Sequence, residues 1–145
     1  MGQQQLLLIV LGVIVVGIAI AVGVTMFQSN AIESNRQAVI SDLVNYASKA
    51  QRFYRTPAQL GGGSQSFDDF YISPIDTGNA NGSYSAGTTA PSGATIVAGS
   101  ITAISSSSGT IYLTGCGKEV GDDGTNVVKV AVTVTPADIT TNILN

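Results

Sequence analysis

The chain opens with "MGQQQLLLIVLGVIVVGIAIAVGVTMF", and this stretch constrains the fold more than any other. From Leu6 to Phe27 every residue is apolar or small except Thr25. Helical geometry gives this run roughly 33 Å, enough to cross the hydrocarbon core of a bilayer. Its Leu, Ile, Val and Phe residues each favour insertion by roughly 0.3 to 0.6 kcal/mol. The segment is therefore expected to partition into a membrane or into an equally apolar protein environment.

A secretory signal would carry a basic n-region, a shorter apolar core and a small-residue cleavage site. Here the first Lys or Arg is Arg36, beyond the span. The positive-inside rule alone would then place the polar part in the cytoplasm. The Gly, Ser and Thr-rich remainder instead has the composition of an extracellular surface. A basic leader removed ahead of Met1 reconciles the two.

The helical pattern continues past the apolar run. In "AIESNRQAVISDLVNYASKAQRFYRTP", Val39, Leu43, Tyr46, Ala50 and Tyr54 recur at helical spacing and form one stripe. Ile32, Ile40, Val44, Ala47 and Gln51 occupy an adjacent face, and Arg36, Asp42, Lys49 and Arg52 are assigned to the remainder. Pro57 is the first proline and a natural stop. Residues 2–55 are thus expected to form one helix of roughly 80 Å. Gly12, Gly17 and Gly23 are its weak points, each costing about 1 kcal/mol relative to Ala.

This long N-terminal helix, apolar first and amphipathic second, resembles that of the type IV pilin superfamily. "ASKAQRFYRTPAQLGGG" is similar to the helix end of bacterial pilins and pseudopilins, where an aromatic pair precedes a Gly-rich loop. The resemblance covers the first 60 residues well and the rest in outline. It implies leader cleavage before Met1, methylation of Met1, and assembly through the helix. It also implies a membrane assembly platform and an assembly ATPase as partners. Two positions depart from the bacterial pattern: Gln5 stands where a glutamate usually sits, and Val22 where a helix-melting proline is common. Archaeal members also lack that glutamate and keep the helix intact. A glutamine accepts and donates hydrogen bonds but supplies no charge.

Residues 61–94 are rich in turn formers. Phe67, Phe70, Tyr71 and Ile75 are expected to pin this loop, with the rest exposed and "LGGGSQS" a helix stop and flexible linker. Asn81-Gly82-Ser83 is an N-glycosylation sequon, making Asn81 a candidate acceptor. Strand patterns follow in "ATIVAGSITAI", "GTIYLTGC" and "NVVKVAVTVTP". The last alternates, with Val128, Val130, Val132 and Val134 on one face. "GDDG" at 121–124 reads as a turn between strands.

Little in the chain carries chemistry. Charged residues make up 10% and the net charge is −3, which gives no electrostatic grip on nucleic acid. There is no histidine, so the commonest general base and metal ligand is missing. Cys116 is the sole cysteine. It has no histidine to activate it, and reads as a half-buried structural residue. Asp68–Asp69 and Asp122–Asp123 lack a calcium-loop pattern and read as turn residues.

The expected fold is therefore α+β, a long N-terminal helix packed on a small antiparallel sheet. Residues 1–27 form the membrane or filament-core helix and 28–56 its amphipathic continuation. Residues 57–94 form a loop region and 95–145 the sheet. The expected function is non-enzymatic and cofactor-free: a homopolymeric filament subunit at the cell surface, held in the membrane before assembly. Gln5, Gly12, Gly17 and Gly23 are its candidate assembly residues. The alternatives are a pseudopilin of a secretion system and a monomeric membrane-anchored surface domain that binds a ligand with its loop.

Overall fold

A computed structural model describes residues 2–91, 103–105 and 109–145. Helix α1 runs unbroken over Gly2–Arg55. A 3-10 turn, Ala58–Leu60, follows Pro57. Four strands come next: β1 (Gly82–Gly87), β2 (Ile111–Val120), β3 (Val127–Val134) and β4 (Ile139–Ile143). They form one antiparallel sheet in the order β1-β2-β3-β4. The architecture is the expected α+β: the second half of α1 lies across one face of the sheet.

The expected helical stripe is the helix side of the core. Val39, Leu43, Tyr46 and Ala50 are buried, joined by Ala47 from the adjacent face, and Tyr54 packs against them. From the sheet come Tyr84, Ile111, Leu113 and the alternating Val128, Val130, Val132 and Val134, all fully buried. Gly115 sets how closely helix and sheet approach. A Cβ there would lie 2.7 Å from Val39 Cγ1 and 3.1 Å from Leu43 Cδ1.

The Gly-rich stretch after α1 is not a flexible linker. The Gly63 N–H donates to the Phe53 carbonyl at 2.8 Å, Ser64 to Thr56 at 3.0 Å and Gln65 to Tyr54 at 2.8 Å. The loop thus folds back and satisfies carbonyls that the helix end leaves open. The glycines are needed for contact, since a Cβ on Gly63 would fall 1.9 Å from the Ser66 carbonyl oxygen.

Two of the four expected loop anchors hold. Phe67 is fully buried, 4.8 Å from the Tyr54 ring, and Phe70 is buried 5.7 Å from Phe53. Tyr71 and Ile75 instead face solvent, and Ile72 is buried in their place. Loop composition also concealed β1, whose Tyr84 is among the most buried side chains. The loop assigned to 57–94 therefore contains an edge strand. The strand expected over 94–104 lies largely outside the described residues. Ile104, which is described, exchanges backbone hydrogen bonds with the 69–70 segment.

"GDDG" does form the β2–β3 turn. Asp123 accepts from the backbone N–H groups of Thr125 (2.9 Å) and Asn126 (2.8 Å) and from the Asn126 amide (2.7 Å). The Asn126 amide and these backbone donors favour the carboxylate and hold its pKa below the ordinary range.

Candidate assembly surface

From Gly2 to Asn30 every residue of α1 is exposed within the chain. The segment is long and apolar enough to cross a membrane, with no part of its most apolar window buried. The hydroxyl of Thr25, the one polar side chain between Leu6 and Phe27, donates to the Val22 carbonyl at 2.9 Å. That bond removes the desolvation penalty an unpaired hydroxyl would suffer in an apolar setting.

Gln5, Gly12, Gly17 and Gly23 all fall on this exposed half. A Cβ built on Gly12, Gly17 or Gly23 meets nothing within 4 Å. Among the described residues, no contact within the chain requires glycine at these positions. Met1, the candidate methylation site, lies outside the described residues.

Just beyond the apolar half, three polar clamps fasten the domain to α1. Asn35 donates to the Asn81 carbonyl at 3.0 Å and accepts from the Lys118 N–H at 3.1 Å, bridging two strand ends. Next comes Arg36, assigned by the helical pattern to the faces outside the apolar stripes and buried in the structure. Its guanidinium pairs with Glu33 at 2.7 Å and Asp122 at 2.5 Å, while its Nε has no partner among the described residues. The hydrogen bond to Asp122 is the main influence keeping Arg36 protonated, against burial and with help from Glu33.

Asp42 is the third clamp. One of its oxygens accepts from Tyr84 Oη at 2.6 Å, Asn79 Nδ2 at 2.8 Å and Asn81 Nδ2 at 2.9 Å. Burial opposes its charge, but these three donors outweigh burial and leave the Asp42 pKa below the usual carboxylate range. Burial and the bond to Asp42 push the Tyr84 phenol up, so it stays a donor. Asn81 therefore has a structural role: its amide nitrogen, the atom a glycan would occupy, is directed at α1. Higher on the helix, Lys49 pairs with Asp76 at 2.8 Å.

Sequence reasoning missed Arg36 and the Asp42 group because Asp122, which lies 86 residues from Arg36, and the partners of Asp42, 37 to 42 residues away, are distant in the chain. Periodicity reports which face of a helix is apolar and carries no signal for a polar group buried by a distant turn. Among the described residues, no group of His, Cys, Asp and Glu is arranged to hold a metal. Cys116 is half-buried. Comparison with protein-family models, curated proteins and solved structures finds no match.

Proposed function

We propose that this chain is a structural subunit of an extracellular type IV pilus-like filament, polymerising through the apolar half of α1. One observation carries the reading: a single helix of 54 residues holds a folded domain on its second half and leaves its first half exposed. Such a helix can reside in a membrane before assembly and in a bundle of identical helices afterwards. The clamps at Asn35, Arg36 and Asp42 support this role, because they begin within a few turns of the apolar half and fix the domain's orientation on the helix. On this reading the partners are other copies of the chain and a membrane assembly apparatus.

Shearing cells and blotting the released material tests the proposal. A filament subunit is released in quantity as fibres visible by electron microscopy. A membrane-anchored binding domain remains with the membranes, and a pseudopilin gives short fibres or none. Intact-mass measurement adds a second check: a methylated N-terminus at Met1 is expected after leader processing.

A further inference from the structure

Asn81 and Gly82 are neighbours at the entry to β1, and the structure calls for each on separate grounds. A Cβ on Gly82 would fall 2.2 Å from the Cys116 carbonyl oxygen, so glycine is what lets β1 approach β2 there. Asn81 is held to α1 at both of its polar ends. Its carbonyl accepts from Asn35 Nδ2 at 3.0 Å, and its Nδ2 donates to Asp42 Oδ2 at 2.9 Å. Close strand packing and the clamp on α1 together impose an asparagine followed by a glycine, which occurs nowhere else in the chain.

That dipeptide has a chemistry of its own. Asparagine is thermolabile because the backbone nitrogen of the next residue attacks its side-chain amide carbon. The new C–N bond closes a succinimide ring, the amide nitrogen leaves as ammonia, and water reopens the ring to aspartate or isoaspartate. Water is the sole co-reactant. Glycine in the second position favours the attack, since it has no Cβ to obstruct it and its backbone turns freely.

In the folded chain both reacting groups are engaged. The Gly82 N–H donates to Asn79 Oδ1 at 3.0 Å, and Gly82 is buried. Swinging the Asn81 amide carbon onto that nitrogen breaks this bond and the one to Asp42. When the domain lifts from α1, both tethers on Asn81 are released and the ring is free to close. The product cannot return to the same seat. Aspartate at position 81 sets a carboxylate at hydrogen-bond distance from the Asp42 carboxylate, and two carboxylates that share a site cannot both ionise without penalty. Isoaspartate instead adds a methylene to the main chain where β1 begins to pair with β2.

We propose that Asn81–Gly82 is a deamidation site guarded by α1, and that its conversion locks the domain off the helix. The reaction needs no assembly and is the same in a filament subunit and in a membrane-anchored monomer.

The test follows the full-length chain in detergent micelles and mildly alkaline buffer, with and without urea. Peptide mass spectrometry reads the mass gain of amide-to-acid conversion at each asparagine. Without urea Asn81 should convert about tenfold more slowly or less, because the reaction waits for the domain to open. In urea it should outpace every other asparagine. Equal rates with and without urea, or no lead for Asn81 in urea, overturn the guarded site. A glycan on Asn81 in chain taken from cells overturns it as well, because that nitrogen would then face solvent and not α1. Asn35→Ala removes one tether without touching the reacting pair and should speed conversion in the absence of urea; an unchanged rate overturns the role of α1. A further arm tests the lock. Asn81→Asp supplies the product directly and should lower the urea midpoint, and adding Asp42→Asn should recover much of the loss by restoring one acid and one amide. A wild-type midpoint for Asn81→Asp, or no recovery in the double variant, overturns the lock.

Discussion

Two glycines separate what the subunit needs from what an assembly would need. A Cβ at Gly17 meets nothing within 4 Å, whereas one at Gly115 lies 2.7 Å from Val39 Cγ1, 3.1 Å from Leu43 Cδ1 and 3.2 Å from Tyr84 Cδ1. Gly17→Ile should therefore leave the isolated subunit intact, and the helix should gain about 0.5 kcal/mol from better propensity. Gly115→Ala overpacks the core and should cost about 1–3 kcal/mol. For a domain of this size that lowers the Tm by at least about 4 °C. Thermal unfolding of the full chain in detergent, followed by the near-UV signal of its tyrosines, reads the domain. Filaments counted by electron microscopy, with membrane subunit levels as control, read the assembly. Gly17→Ile should keep the wild-type Tm and lose most filaments, because a branched side chain forces packed helices apart. Normal filaments from Gly17→Ile would refute the account of the helix core. A Tm loss equal to that of Gly115→Ala would refute the claim that the apolar half is independent of the domain.

Gln5→Leu should reduce filament number more mildly than Gly17→Ile, since it leaves amide partners unpaired without a steric clash; the same micrographs rank the two variants. Asp42 gives a pH signature: its folded pKa lies below its unfolded value of about 3.9. Its contribution is thus present above about pH 4 and is lost as pH falls through the folded value. The stability gap between wild type and Asp42→Asn in urea should be wide at pH 7 and shrink below pH 4; a constant gap would discount the charge. The Arg36 clamp should be asymmetric, because the arginine side chain is 11% exposed and its partners Glu33 and Asp122 are 52% and 71% exposed. Removing both acids with Glu33→Gln and Asp122→Asn strands a buried cation and should cost about 1–3 kcal/mol, the penalty of an under-satisfied buried donor. Arg36→Met, which strands only exposed acids, should cost less in the same urea titration, and the reverse order would contradict the burial argument.

The parts of the fold legible in the sequence are those with a period. The helix from residue 2 to 55 follows from an apolar run, a 3.6-residue stripe and Pro57. Strand β3 follows from the alternation of Val128 to Val134. Strand β4, "ITTNI", shows no such alternation because it is an edge with most of its residues exposed. Strand β1, "GSYSAG", carries a single large apolar residue, Tyr84, and its composition is that of a loop. It is a strand because β2 pairs with it and because Asp42 anchors the Tyr84 hydroxyl. The Gly-rich cap after α1 is illegible in the sequence for a related reason. Glycine signals permissiveness, and only the packed structure distinguishes freedom from close approach. The sequence placed the candidate assembly residues on the apolar half, and the structure adds that this half is exposed and that, among the described residues, no contact within the chain accounts for its glycines.

That last point bears on what the apolar half faces. Gly12, Gly17 and Gly23 together give up about 3 kcal/mol of helix propensity relative to alanine. No neighbour among the described residues requires it, since a Cβ at each position meets nothing within 4 Å. Lipid tails do not require it either, because they conform to a helix of any side-chain size. A second helix does: in an apolar medium the hydrophobic effect gives helices little reason to associate, and close backbone approach at small residues supplies the packing that decides it. At 3.6 residues per turn Gly12, Ala19 and Gly23 share one face and Gly17 and Ala21 lie on the opposite one, which leaves two low-relief tracks on an otherwise bulky helix. A monomeric anchor gains nothing from that relief, whereas a bundle of such helices is held together by it. This asymmetry favours the filament reading over the anchored-domain alternative, and it is what the Gly17→Ile measurement addresses.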